Sequence, residues 1–286
     1  MEPEKEYWDI VIKPKTEKFS LNLSEVWKYR DLVVMYIRRD IVTMYKQTIL
    51  GPLWYVIQPI FSTLMMMFVF GGIAGIPTDG IPHPVFYMSG IMMWNYFSEC
   101  LGRSSGTFTG NAGVFSKVYF PRLVVPISGL ISSLVKLAIQ IGLFLCVYFY
   151  FFATSDSLHP NMTLLLFPYL IFLSAIMGFG IGIIISSMTT KYRDLNYFFG
   201  FIVSLWMYIT PVVYPLSEVA AKAGKYGWIV EFNPMTPIVE ATRYAFTGAG
   251  VFSWSGILYS TIIAVVTSII GIWAFNKIER RFIDTV

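Results

Sequence analysis

Residues 30–59 read RDLVVMYIRRDIVTMYKQTILGPLWYVIQP, a stretch that begins as a charged helix and ends inside an apolar run. At about 100° per residue, Val34, Ile37, Ile41, Met44 and Tyr45 share one face, and Arg39, Asp40, Thr43, Lys46 and Gln47 gather on the other. A helix divided in this way is expected to lie along a membrane surface. Gly51 and Pro52 then break it, and an uncharged run from Leu53 to Gly75 is long enough to cross about 30 Å of hydrocarbon. The chain is therefore predicted to lie flat, turn and dive. Cations ahead of the turn put that side in the cytoplasm, because Lys and Arg resist translocation.

The remainder of the 286 residues fits this reading. With 56% hydrophobic and 13% charged residues, the chain has too little polar surface to cover a soluble globule of its size. The expected fold class is an all-α integral membrane protein. Residues 1–28 carry Glu2, Glu4, Lys5, Glu6, Asp9 and Lys13 with no apolar core, which argues against a signal peptide or presequence and for a cytoplasmic tail. Net charge is only +4 and the basic residues cluster beside apolar runs, so they read as topology determinants and headgroup contacts, and nucleic acid is not an expected partner. Cys100 and Cys146 lie in apolar runs and suggest no disulfide framework.

Beyond the tail, residues 29–286 are expected to form one transmembrane domain of six spans, at about 53–75, 85–101, 127–152, 164–188, 197–214 and 257–275. Seventeen of the 21 Lys and Arg then fall on the side of the amino terminus, which places both termini inside. Lys222, Lys225 and Arg243 fall outside, and Lys136 within a span. Gly178, Gly180 and Gly182 are expected to let a neighbouring helix approach closely. The segment 215–255 is apolar but interrupted. Thr236 reads as an N-cap with Pro237 at the first helical position, the helix running to Phe246 before a Gly-Ala-Gly stop, and an earlier short helix covers Ser217 to Lys225. Two readings stand open here on physics alone: a re-entrant helical hairpin, or an interfacial loop anchored by Trp228 and Trp254.

There is no phosphate loop: Gly224-Lys225 is followed by Tyr226, and Val219 stands where the first glycine belongs. The chain is not expected to hydrolyse ATP. His83 and His159 lie in separate loops without metal or dyad spacing. Within the spans stand Glu99 and Lys136, with Arg103 four residues after Glu99 on the same face. Such charges are costly unless paired or hydrated, and read either as a structural ion pair or as part of a substrate path. Among the aromatic residues, Trp94, Tyr96, Phe97, Phe198, Phe199, Trp206 and Tyr208 sit in spans, facing lipid or offering stacking faces to a sliding glycan.

Taken together these fragments resemble the membrane subunit of a type-two ATP-binding-cassette exporter, in the polysaccharide-export group that handles O-antigen, capsule and teichoic acid. The residues that carry the resemblance are Arg30-Asp31-Leu32, Tyr45-Lys46-Gln47-Thr48-Ile49-Leu50-Gly51, Trp54 and Pro59. They continue with Lys117-Val118-Tyr119-Phe120-Pro121-Arg122, Pro126, Tyr192-Arg193-Asp194, Trp206 through Pro215, Asn233-Pro234-Met235, Arg281-Phe282 and Asp284. The resemblance implies a homodimer in the bacterial inner membrane that works with two copies of a cytoplasmic ATPase, which holds the ATP and Mg, and carries a lipid-linked glycan; this chain itself has no cofactor. It implies a gate helix over 30–50, where Arg30, Arg38, Arg39 and Lys46 either steer a lipid pyrophosphate or only enforce topology. It implies a coupling loop over 110–122, including Asn111 and Lys117 to Arg122, and an outer gate over 215–255, with Pro211, Pro215, Asn233 and Pro234 at its joints. Relatives often carry an acid near Lys136, so this lysine is a departure, expected to pair with Glu99. A drug or lipid efflux permease of the same superfamily is the alternative; an enzyme lacks a convergent acid, base or metal set.

Overall fold

A computed structural model describes residues 23–46, 49–115, 117–192, 194–222 and 224–283. The tail up to Asn22, Gln47, Arg193 and Asp284 lie outside the described residues, as do the side chains of Lys222, Arg280 and Arg281. All regular structure described is helical. Helices α1 (Leu23–Lys28) and α2 (Arg30–Tyr45) lead to a 3-10 turn at Gly51–Leu53. Gly51 takes a φ of 48°, open mainly to glycine, and Pro52 fixes the next φ, so the chain turns there. Helix α3 (Trp54–Met66) follows and continues as a π-helical segment over Met67–Ile73. In that segment Gly71 lies against the His83 imidazole, where a Cβ would come within 2.8 Å of the ring.

The remaining helices are α4 (His83–Ser105), α5 (Thr107–Phe115), α6 (Val124–Thr154), α7 (Phe167–Thr189), α8 (Leu195–Ile209), α9 (Leu216–Lys222), α10 (Gly227–Glu231), α11 (Thr236–Thr247) and α12 (Trp254–Ile283). Among the described residues four stretches are long and apolar enough to cross a membrane: Gly51–Ile73, Val124–Thr154, Met162–Thr189 and Trp254–Ile278. Two of the six expected spans fall short on these grounds. α4 has the length but carries Asn95, Glu99 and Arg103, and α8 has only 15 residues.

Helices α4 and α7 make the centre. α4 is buried almost continuously from Val85 to Leu101, and α7 lies between it and α12. The approach is close because Gly178 and Gly182 face the α4 backbone while Gly180 faces α12. A second apolar cluster joins α2 to the bundle through Val33, Tyr36, Phe108, Phe120, Ile183 and Phe275.

The packing of α2 adds to its expected amphipathic face, and the start of α11 is corrected. In α2 the buried side chains are Val33 and Tyr36, while Val34 and Tyr45 are exposed. The helix lies on α6 with the Tyr36 ring 6.2 Å from Phe120, so the protein's own surface takes the 33/36 stripe and the flank next to it turns outward. In α11 the helix starts at Thr236 itself with Met235 at the cap, because the Thr236 hydroxyl donates to the Val230 carbonyl at 2.7 Å. The far end stops at Gly248, whose φ of 72° favours glycine and where a Cβ would come within 2.6 Å of the His159 carbonyl oxygen. The linker expected between two short helices is itself partly helical, as α10.

Candidate functional site

Helices α3, α4 and α6 line a half-open cavity of about 410 Å³. Asn95, Glu99 and Arg103 reach it from one face of α4, and Ser133, Lys136 and Gln140 from one face of α6, both at helical spacing. Its charged wall is a chain of contacts. Lys136 Nζ donates to Glu99 Oε1 at 2.7 Å, Arg103 Nε donates to the same oxygen at 2.7 Å, and Arg103 Nη1 donates to Asp40 Oδ2 at 2.7 Å. Lys136 Nζ also lies 5.0 Å from the Tyr55 ring centre. The chain ties α2, α4 and α6 together, with every charge facing an opposite one, as low-dielectric surroundings demand. Glu99 is the shared acceptor. Lys136→Met therefore leaves it one cation, whereas Glu99→Gln leaves Lys136 with no carboxylate. Since these side chains stay a quarter exposed, we expect Glu99→Gln to destabilise by about 1–2 kcal/mol and Lys136→Met by less. Thermal melting of the purified variants checks the order; three equal melting temperatures would sink the shared-anchor reading.

The α2 cations Arg30, Arg38 and Arg39 are exposed, as is Lys46 just beyond the helix. Arg39 also bonds Asp40 and stacks over Tyr36, with Cζ 4.4 Å from the ring centre. Burial raises the Tyr36 phenol above its ordinary pKa, while Arg39 pulls it down.

Just past the C-terminal end of α4, α5 is kinked at Asn111, whose amide donates back to the Thr107 carbonyl at 3.1 Å. The stretch after it divides in two. Lys117, Val118 and Tyr119 are exposed, while Phe120, Pro121 and Arg122 are buried, the Arg122 guanidinium resting 5.4 Å from the Phe115 ring centre. One half is an anchor and the other a free surface.

The expected outer-gate residues meet where α8 ends. Trp206 Nε1 donates to Asn233 Oδ1 at 2.9 Å, and Asn233 Nδ2 donates to the Thr210 hydroxyl at 2.8 Å. Pro211 and Pro215 are buried beside this joint, and Pro234 is half-buried. Arg243, read from sequence as an external cation, is instead 0% exposed. It pairs with Glu240, donates to the Pro211 carbonyl at 2.9 Å and lies 3.7 Å from the Phe86 ring centre. The signal for it was an acid and a base at i, i+3 within an otherwise mostly uncharged helix, TPIVEATRYAFT. Among the aromatics, Trp206 packs edge to face on both Trp94 and Phe97, which meet each other at a tilt, and Tyr96 is buried beside them. Phe198 and Tyr208 are exposed, and Phe199 is half-buried.

Comparison with known proteins gives this geometry a family. The O-antigen export system permease protein RfbA of Klebsiella pneumoniae is 27% identical over 255 residues, 89% of this chain and 94% of the relative. RfbA of Myxococcus xanthus is 24% identical over 223 residues, 78% of this chain and 82% of the relative. The polysialic acid transport protein KpsM of Escherichia coli is 25% identical over 254 residues, 86% of this chain and 93% of the relative. The family model described as ABC-2 type transporter matches residues 31–247. That match runs from the start of α2 to the end of α11, through three of the four membrane-length helices whole, and the chain belongs to the ABC-2 type transporter family.

Proposed function

We propose that this chain is the channel-forming permease subunit of an exporter that carries a lipid-linked polysaccharide across the bacterial inner membrane. The observation that carries the reading is the end-to-end similarity to proteins named for O-antigen export and polysialic acid transport. The chain works as a homodimer, and ATP and Mg act on two copies of a separate cytoplasmic ATPase. Six helices cross the membrane, α3, α4, α6, α7, α8 and α12, with both termini in the cytoplasm. α4 crosses despite its charges because it is enclosed by its neighbours and its charges are paired. At about 1.5 Å per residue, the 15 residues of α8 cover about 22 Å, and the stretch to Pro215 completes the crossing.

Helix α2 is the cytoplasmic gate, and the exposed Arg30, Arg38, Arg39 and Lys46 draw a lipid pyrophosphate to its mouth. The exposed Lys117, Val118 and Tyr119 dock on the ATPase, and the buried Phe120, Pro121 and Arg122 pass its movement to α6, with Asn111 as the flexible point. Helices α9 to α11 form the outer gate as a re-entrant hairpin. α8 buries no side chain within one copy, which supports a second copy beside it and a path between them. Phe198, Phe199 and Tyr208 face that path, backed by the half-buried Trp206 and the enclosed Trp94, Tyr96 and Phe97.

A strain lacking this chain is expected to lose surface polysaccharide and to accumulate lipid-linked glycan on the cytoplasmic side of the inner membrane. Unchanged glycan in both pools, in a strain without a second exporter, would overturn the reading and favour an efflux permease for small amphiphiles.

A further inference from the structure

We infer that the cavity between α3, α4 and α6 binds the hydroxyl-rich head of an amphiphile, a mono- or disaccharide borne on a lipid, and does not bind a phosphate; naming the sugar as part of the exported glycan rests on the function proposed above. Gln58 of α3, Asn95 of α4 and Gln140 of α6 all line this cavity, and none has a hydrogen-bond partner among the described residues. Gln58 is exposed and Asn95 and Gln140 are half-buried, so three amides from three helices present open donors and acceptors to whatever enters the cavity. An amide donates and accepts at once, which is what neighbouring sugar hydroxyls require, and the Tyr55 phenol and Ser98 hydroxyl add to the same lining.

The charges argue for a neutral head. Lys136 and Arg103 share Glu99, and Arg103 and the exposed Arg39 share Asp40, so both cations that line the cavity already face a carboxylate within hydrogen-bonding distance. An incoming phosphate would have to displace a carboxylate and leave it unpaired. A polyol needs no such exchange. Shape points the same way: beyond Gln140 only about 10 Å³ is free among Pro59, Thr63, Met88, Ile91 and Met92. The cavity is thus closed at that end, a seat for a head group and not a through-path, and its 410 Å³ falls in the range of about 300–1,000 Å³ common to small-molecule sites. The outer flank of α3 exposes Trp54, Phe61 and Leu64, an apolar surface for the attached tail.

The test uses the full chain in lipid nanodiscs, with Ser98→Cys as reporter in a Cys146→Ser background; Cys100 is buried and stays. The rate of thiosulfonate labelling is followed against octyl glucoside, octyl phosphate and octanol, each below its micelle threshold. Octyl glucoside is expected to slow labelling roughly tenfold at saturation, and octyl phosphate and octanol to leave it unchanged. Gln58→Leu and Gln140→Leu should each raise the glucoside concentration for half-protection roughly tenfold, equivalent to about 1.4 kcal/mol. Gln58 lies on the exposed helix, so at least that variant is expected to fold, and melting temperatures verify it. Protection by octyl phosphate or octanol equal to that by the glucoside, no protection at all, or half-protection unmoved in a folded Gln58→Leu overturns the site. Glucoside protection together with unchanged glycan in the deletion strain keeps the sugar site and removes only the glycan cargo. Absent protection together with lost glycan export removes the site and leaves the cargo.

Discussion

Arg243→Met is expected to destabilise the protein by about 3–5 kcal/mol, a large share of the stability of a typical domain. The argument starts from burial. Arg243 and Glu240 are both about 1% exposed at their side chains, on a short helix that packs against α4. The guanidinium serves three elements at once: it neutralises Glu240 on α11, donates to the Pro211 carbonyl where α8 has ended, and lies on the Phe86 ring of α4. Proline 211 breaks the helix and leaves carbonyls without helical donors, so an arginine fork is a fitting partner. Gly90 makes the approach possible, since a Cβ there would sit 3.1 Å from Val212 Cα. Methionine keeps the apolar stem but strands the Glu240 carboxylate. The double variant Glu240→Gln with Arg243→Met removes the stranded charge and keeps an acceptor for the Val251 amide, which Glu240 Oε2 receives at 3.3 Å. It should therefore melt above Arg243→Met alone. Thermal melting of the purified chains decides; a single variant that melts with the wild type would show that the pair holds nothing.

The same residue shows where sequence reading stopped. Charge counting places Arg243 outside the membrane, and nothing local says that its partner carbonyl lies 32 residues earlier in the chain. Asp40 is similar: the wheel puts it on the polar face of α2, yet its carboxylate turns to Arg103, 63 residues away. Contacts set by chain spacing were legible. Glu99 and Arg103 are four apart and do bond, Gly51 and Pro52 do turn the chain, and Gly248 does stop α11. Hydropathy located the four described helices long and apolar enough to cross a membrane, and α4 stands apart from them. That helix is surrounded by protein, so its polar side chains answer to neighbours rather than to the bilayer. The amide set fell between the two cases: Asn95, Glu99 and Arg103 repeat every four residues and form a visible stripe, but Gln58 and Gln140 join it only once three helices are packed.

Alanine at Gly182 is expected to destabilise the bundle by about 1–3 kcal/mol, and alanine at both Gly180 and Gly182 by more than the two single losses together. A Cβ at Gly182 would lie 2.7 Å from the Leu101 carbonyl and 2.5 Å from Ser104 Cβ, both on α4. One at Gly180 would lie 2.6 Å from the Ser268 amide nitrogen on α12. Backbone atoms lie in the way on both sides, so no side-chain rotation gives relief. For Gly182→Ala alone, α7 can withdraw slightly from α4. That retreat runs toward α12, where Gly180 already touches backbone and where a Cβ at Gly271 would sit 2.7 Å from the Gly180 carbonyl. With both glycines filled, α7 is pressed from two sides and neither shift is open, which is why the losses should exceed additivity. Gly142 on α6 and Gly200 on α8 provide the contrast, because a Cβ at either meets nothing within 4 Å. There alanine removes only the conformational freedom of glycine and should stabilise by up to about 1 kcal/mol. Melting and size-exclusion profiles of the five variants in one detergent form the comparison. If Gly182→Ala is as stable as Gly142→Ala, helix α7 is not held by backbone contact, and the close packing at the centre of the bundle is not what keeps α4 in place.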